Sequence, residues 1–177
     1  YRSGDINGAI LAFETLDREG VLSAPFTDTL NRWRREAELR DRMSVAFGSG
    51  FTVAFEGPED ETLAQQALAS IERASARIGA VLSYYPTAPV AVVLYTNQQF
   101  RDITRSPSWA GGAFDGTIRI PMRGALANAA ELDRVLAHEY THALVHDLAR
   151  SGVPAWLNEG LAAALEREGL QVGRPVR

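Results

Sequence analysis

The side chains best equipped for chemistry are His138, Glu139 and His142, which stand in the run Ala137-His138-Glu139-Tyr140-Thr141-His142-Ala143. On an α-helix, residues four apart differ by about 40° in azimuth and about 6 Å in rise, so both imidazoles project from one face and can share an ion. Paired imidazoles suit Zn²⁺, which takes nitrogen and oxygen donors at about 2 Å. Glu139 lies about 100° around the helix from His138, badly placed for a third ligand but close enough to reach a water beside the ion. That is the geometry of a general base: the ion acidifies the water, and the carboxylate takes its proton as the water attacks a polarised carbonyl. Ala137, Tyr140, Thr141 and Ala143 are uncharged, as expected of a helix buried on either side of a metal. All three histidines of the chain fall between 138 and 146.

A catalytic zinc takes three protein ligands and keeps one position open. Pro154-Ala155-Trp156-Leu157-Asn158-Glu159-Gly160-Leu161-Ala162 supplies the third candidate, Glu159. Ser151, Gly152 and Pro154 break the first helix and an apolar run over 155–165 starts a second, so a helical hairpin could return Glu159 to the metal. His146 continues the i, i+4 series but stands about 12 Å along the axis from His138, too far to share one ion. It reads instead as a histidine favoured by the partial negative charge of a helix C-terminus.

The two stretches, His138-Glu139-Tyr140-Thr141-His142 and Trp156-Leu157-Asn158-Glu159-Gly160-Leu161-Ala162, resemble the paired signatures of gluzincin metallopeptidases, most closely the bacterial peptidase MA-like group. The resemblance implies a zinc-dependent peptidase with a zincin-like fold, acting on a peptide or protein substrate. It implies one Zn²⁺ per chain held by His138, His142 and Glu159, with Glu139 as base, and it suggests the bacterial cell envelope or secretion. Leu148 stands where a metzincin would carry its third histidine. Gluzincins commonly place a further carboxylate four residues after the ligand Glu to orient a histidine; that position is Ala163, which leaves Asp115 or Asp147 as substitutes. They also meet the oxyanion with a Tyr or His downstream of the ligand Glu, and no residue after Glu159 is either. This chain is therefore expected to bind zinc and turn over slowly, as a domain truncated at its C-terminus. The rival reading is a non-catalytic protein-binding module with a vestigial or structural zinc site, against which Glu139 argues, because a structural site has no use for a base.

These residues need elements to position them. A long amphipathic helix is predicted over 59–84, with Leu63, Ala67, Leu68, Ile71, Ala74, Ile78 and Leu82 in one stripe. It joins a strand over 51–55 to a buried strand over 90–95, and such a crossover predicts parallel pairing. Residues 43–47 are expected to form a hairpin with 51–55, and 97–104 a short helix. A glycine-rich loop or bent strand over 106–116, with a plain hairpin turning at Asp115-Gly116 as the alternative, then leads into a strand over 117–121, the helix of the histidines over 128–149, and the helix of Glu159 over 154–168. Trp156 is expected to anchor that last helix in the core. In families of this kind the strand before the zinc helix is the sheet edge that pairs with substrate backbone, so Gly112, Ala113, Thr117, Ile118, Arg119 and Ile120 become candidate substrate-binding residues.

The fold class expected is α+β: a small mixed sheet, a long crossover helix, an active-site helix and a ligand helix, preceded by N-terminal helices. Residues 1–14 are similar to the middle of a tetratricopeptide repeat, with Ala9, Ile10, Phe13 and Leu16 at helical spacing. A single such hairpin needs something further along or upstream to stack on, and the resemblance allows a protein partner for the helices. A helix over 25–44 follows, with Leu30, Trp33, Ala37 and Leu39 facing the core and mixed Arg and Glu on a solvated face. The division expected is 1–46 as a helical segment and 47–177 as the peptidase domain. In the 177-residue chain, 46% hydrophobic and 23% charged residues are those of an ordinary globular protein, and a formal net charge of −4 disfavours nucleic acid. There is no cysteine, so any metal goes to His and carboxylate ligands, and no apolar run approaches membrane-spanning length.

Overall fold

A computed structural model describes residues 6–20, 23–106, 110–122, 128–149 and 151–167. Its elements are helices α1 (Ile6–Arg18) and α2 (Ala24–Arg40), strands β1 (Ser44–Gly48) and β2 (Phe51–Phe55), and helix α3 (Glu61–Leu82). Strand β3 (Val90–Tyr95), helix α4 (Asn97–Thr104), strands β4 (Ala113–Phe114) and β5 (Ile118–Pro121), and helices α5 (Ala129–Leu148) and α6 (Ala155–Leu165) follow. The class is α+β. No helix among the described residues is long and apolar enough to cross a membrane.

Local chemistry sets several boundaries. Pro25 starts α2, where its missing N–H costs nothing. Thr96 and Gln99 start α4 with a reciprocal capping box. The side chain of Asn128 accepts from the amide of Glu131 at the start of α5. The crossover helix ends on Ser83 in the left-handed region (φ 52°), three residues before Pro86.

The sheet runs β1-β2-β3-β5-β4. β1 and β2 are antiparallel, β2 and β3 parallel across α3, β3 and β5 parallel, and β4 returns antiparallel on β5. Alternation along the strands gives the sheet two apolar faces. One buries Val53, Val92, Leu94, Ile118 and Ile120 against Leu68 and Ile71 of α3 and Leu136 and Tyr140 of α5. The other packs Val93 and Tyr95 with Leu39, Met43 and Phe100, beneath α2 and α4.

Four expectations are corrected here. The strand over 117–121 is not the sheet edge: β5 lies between β3 and β4, and Thr117, Ile118, Arg119 and Ile120 are buried. The edge is β4, because the Asp115-Gly116 turn folds Ala113 and Phe114 back along the outside of β5. The expected boundary between 46 and 47 falls inside β1, and α2 joins the core of the sheet through Leu39. The charged face of α2 is not wholly solvated, since Glu36 is buried against Arg119 and Tyr95. Burial and the Glu36 charge push the Tyr95 hydroxyl far above its ordinary range, so it stays a neutral donor. Last, Trp156 is 75% exposed and anchors nothing in the core. On α1, Leu16 is exposed too, while Phe13 stacks edge-on with Trp33 of α2.

Candidate metal centre

Helix α5 is buried on most sides, between α3, the sheet and α6, which is why its apolar residues are not confined to one stripe. His138 and His142 occupy its less buried strip, their rings 4.8 Å apart and nearly perpendicular. The turn after α5 passes through Gly152 at φ +82°, a left-handed conformation that side chains other than glycine's rarely adopt. It redirects the chain so that α6 packs back on α5, and Glu159, near the start of α6, arrives over the histidines.

One Oε of Glu159 lies 3.6 Å from Nε2 of His138 and the other 3.6 Å from Nε2 of His142. Donor atoms of all three residues fall within 4.8 Å of one another. Tetrahedral ligands on zinc at about 2.0–2.1 Å stand about 3.3 Å apart, so small side-chain rotations would bring these three donors onto one ion. The donor set of two imidazoles and one carboxylate matches the chemistry of such a site. The imidazoles are largely buried and the carboxylate is exposed, which leaves the group open to a cleft on one side.

Glu139 is buried next to this group. Burial first, and the neighbouring Glu159 charge second, push its carboxyl up to about 7. Its wall is Gly112, where an added Cβ would lie 2.7 Å from Cγ of Glu139, so only glycine lets the strand approach the carboxyl this closely. Gly112 and Ala113 line the same cleft of about 530 Å³, together with Gly111, Phe114, Val135 and Asn158. Of the residues expected to bind substrate, these two are at the site. Thr117, Ile118, Arg119 and Ile120 are not, since Thr117 is buried in the turn before β5 and the other three lie in that buried strand behind the site.

The carboxylate that orients a histidine is Glu166, which sequence reasoning did not identify. Its Oε2 lies 2.9 Å from Nδ1 of His138 and accepts from Arg134 at 2.9 Å. Arg134 is held in turn by Glu131, and these bonds strengthen its positive charge. With Nδ1 donating to Glu166, the lone pair of Nε2 faces Glu159. A signal was present: Glu166 follows Glu159 by seven residues, two helical turns, and so returns to the same face. Asp115 and Asp147, the expected substitutes, are engaged elsewhere, Asp115 with Arg119 and Asp147 with the Tyr84 hydroxyl. Nδ1 of His142 is buried and has no hydrogen-bond partner among the described residues.

His146 lies outside the group, its ring edge-on to Phe114. The Tyr140 hydroxyl turns away to Ser75 at 2.9 Å, as its azimuth on the helix required. Among the described residues, no tyrosine and no third histidine lines the cleft, and Asn158 is its one neutral side-chain amide. No family model matches the chain, and no curated protein or solved structure matches it.

Proposed function

We propose that this chain is a zinc-dependent peptidase of gluzincin type, with a zincin-like domain of the peptidase MA-like kind. The observation that carries the reading is the convergence of His138, His142 and Glu159 on one point, with the buried carboxyl of Glu139 beside it and a cleft in front. Bound there, Zn²⁺ would supply Lewis acidity for the carbonyl under attack and bring the pKa of water towards neutrality.

The chain's own residues do the rest. Glu139 takes the proton from the attacking water and delivers it to the departing amine, acting first as general base and then as general acid. Glu166 keeps His138 in the tautomer whose Nε2 is free to ligate. Among the described residues β4 is the edge of the sheet beside the cleft, and its main-chain groups can pair with an extended peptide, which gives affinity with little sequence specificity.

Zinc content and peptide cleavage, measured on wild type, His142→Ala and Glu139→Gln, test the reading. His142→Ala should lose stoichiometric zinc. Glu139→Gln should keep it and lose about 10²- to 10⁴-fold in turnover; full activity in that variant would remove the assigned base. The rival, a non-catalytic binding module, draws support from the exposed apolar side chains Leu11, Leu16 and Phe26 on α1 and α2. A wild-type chain that holds zinc and cleaves no peptide would favour it.

A further inference from the structure

Arg119 and Glu36 form an ion pair at 2.8 Å whose side chains are each only 2% exposed. Buried ion pairs add little net stability compared with apolar side chains of the same volume; what such a pair can supply is a defined geometry. Here the geometry connects two distant parts of the fold. Glu36 belongs to α2, on the face of the sheet opposite the histidines, and one of its oxygens accepts from Nε and Nη2 of Arg119 and from the Tyr95 hydroxyl.

The third nitrogen of the guanidinium faces the other way. Nη1 donates to Asp115 and to the carbonyl of Thr117, so it clasps both sides of the β4–β5 turn. Arg119 stands directly opposite Ala113 in the register of that hairpin. Ala113 lines the cleft, and Gly112 before it is the residue against which Glu139 packs. A two-residue edge strand has few ladder bonds of its own to hold it, so its position depends on the turn.

We propose that Glu36 and Arg119 are positioning residues for the cleft: through the Asp115 turn they set where β4 lies, and α2 thereby controls the strand on which substrate backbone pairs. The pairing with substrate rests on the peptidase reading; the placement of β4 does not. Arg119 is the obvious residue to remove, but its loss would leave Glu36 buried and unpaired and threaten the fold. Two gentler variants avoid this. Asp115→Asn alters an exposed carboxylate, and Glu36→Gln keeps an acceptor oxygen for Arg119 and Tyr95.

Hydrogen exchange and steady-state kinetics on the zinc-loaded chain decide the matter. In both variants the amides that pair β4 with β5 should exchange about 10-fold faster, while those of α3 stay at wild-type rates. KM for a peptide should rise about 5- to 10-fold with kcat within about twofold and zinc affinity unchanged, and Asp115→Glu should restore the wild-type KM. Unchanged β4 exchange in both variants would overturn the proposal, as would faster exchange with KM unmoved. Absence of peptidase activity in wild type would sink the peptidase reading alone, and the exchange data would then judge the placement of β4 by themselves.

Discussion

Replacing Glu166 should separate metal binding from catalysis, because its carboxylate touches His138, a proposed ligand, and does not line the cleft. Its Oε2 is 2.9 Å from Nδ1 of His138 and the side chain is only 11% exposed, so little water competes for the bond. The carboxylate does two things: it fixes the ring with Nδ1 protonated, and its charge makes Nε2 a better donor to a cation. Glu166→Gln keeps an oxygen that can accept from Nδ1 and removes the charge. Zinc affinity should then fall about 10-fold, the lower end of the range for such partners, equivalent to about 1.4 kcal/mol. Glu166→Ala removes the acceptor as well and leaves Arg134 without one of its two carboxylate partners. A guanidinium released beside His138 would further oppose a cation, so about 100-fold is expected. The assay is competition for Zn²⁺ against a chromophoric chelator at fixed pH, with circular dichroism as the check on folding. Equal affinities in wild type, Glu166→Gln and Glu166→Ala, all folded, would show that the Glu166–His138 bond does not tune the site.

Three further outcomes are expected. In the zinc-free chain the folded-state pKa of Glu139, about 7, lies above the 4.5 of an unperturbed carboxyl, so the folded state binds more protons between those values. Its contribution to stability is therefore present in full below about pH 4.5 and lost as pH rises to 7, by roughly 3 kcal/mol. Urea unfolding across that range should show the loss in wild type and not in Glu139→Gln. Gly112→Ala would put a methyl 2.7 Å from Cγ of Glu139 and displace that carboxyl; kcat should fall by up to about 100-fold with zinc retained, and undiminished turnover would mean that the carboxyl need not sit there. Leu136→Ala, at a fully buried position between the sheet and α3, should cost about 2–5 kcal/mol in chemical denaturation without altering the ligand set.

The sequence by itself determined what depends on near neighbours. His138 and His142 share a face because four residues are about one helical turn, whatever surrounds the helix. The stripe of α3 follows from the same periodicity, and the parallel pairing of β2 with β3 follows from the crossover it makes. The breakers Ser151, Gly152 and Pro154 likewise placed the break between α5 and α6 to within a few residues.

Tertiary structure alone decided what depends on residues far apart in the chain. A strand reads the same at an edge or beside one, so only the return of Ala113 and Phe114 along β5 determined which of the two borders the cleft. A glutamate among arginines on a helix reads as solvated; Glu36 is buried because an arginine 83 residues later points from the sheet into the same space. Trp156 has the apolar surface of a core residue, yet the α6 face that carries Glu159 to the histidines leaves it exposed at 75%. The orienting carboxylate is intermediate in kind. Its helical spacing from Glu159 was readable in the chain, but its choice over Asp115 and Asp147 was not, because that choice rests on how α6 packs on α5 and on which other partners have already taken those two aspartates.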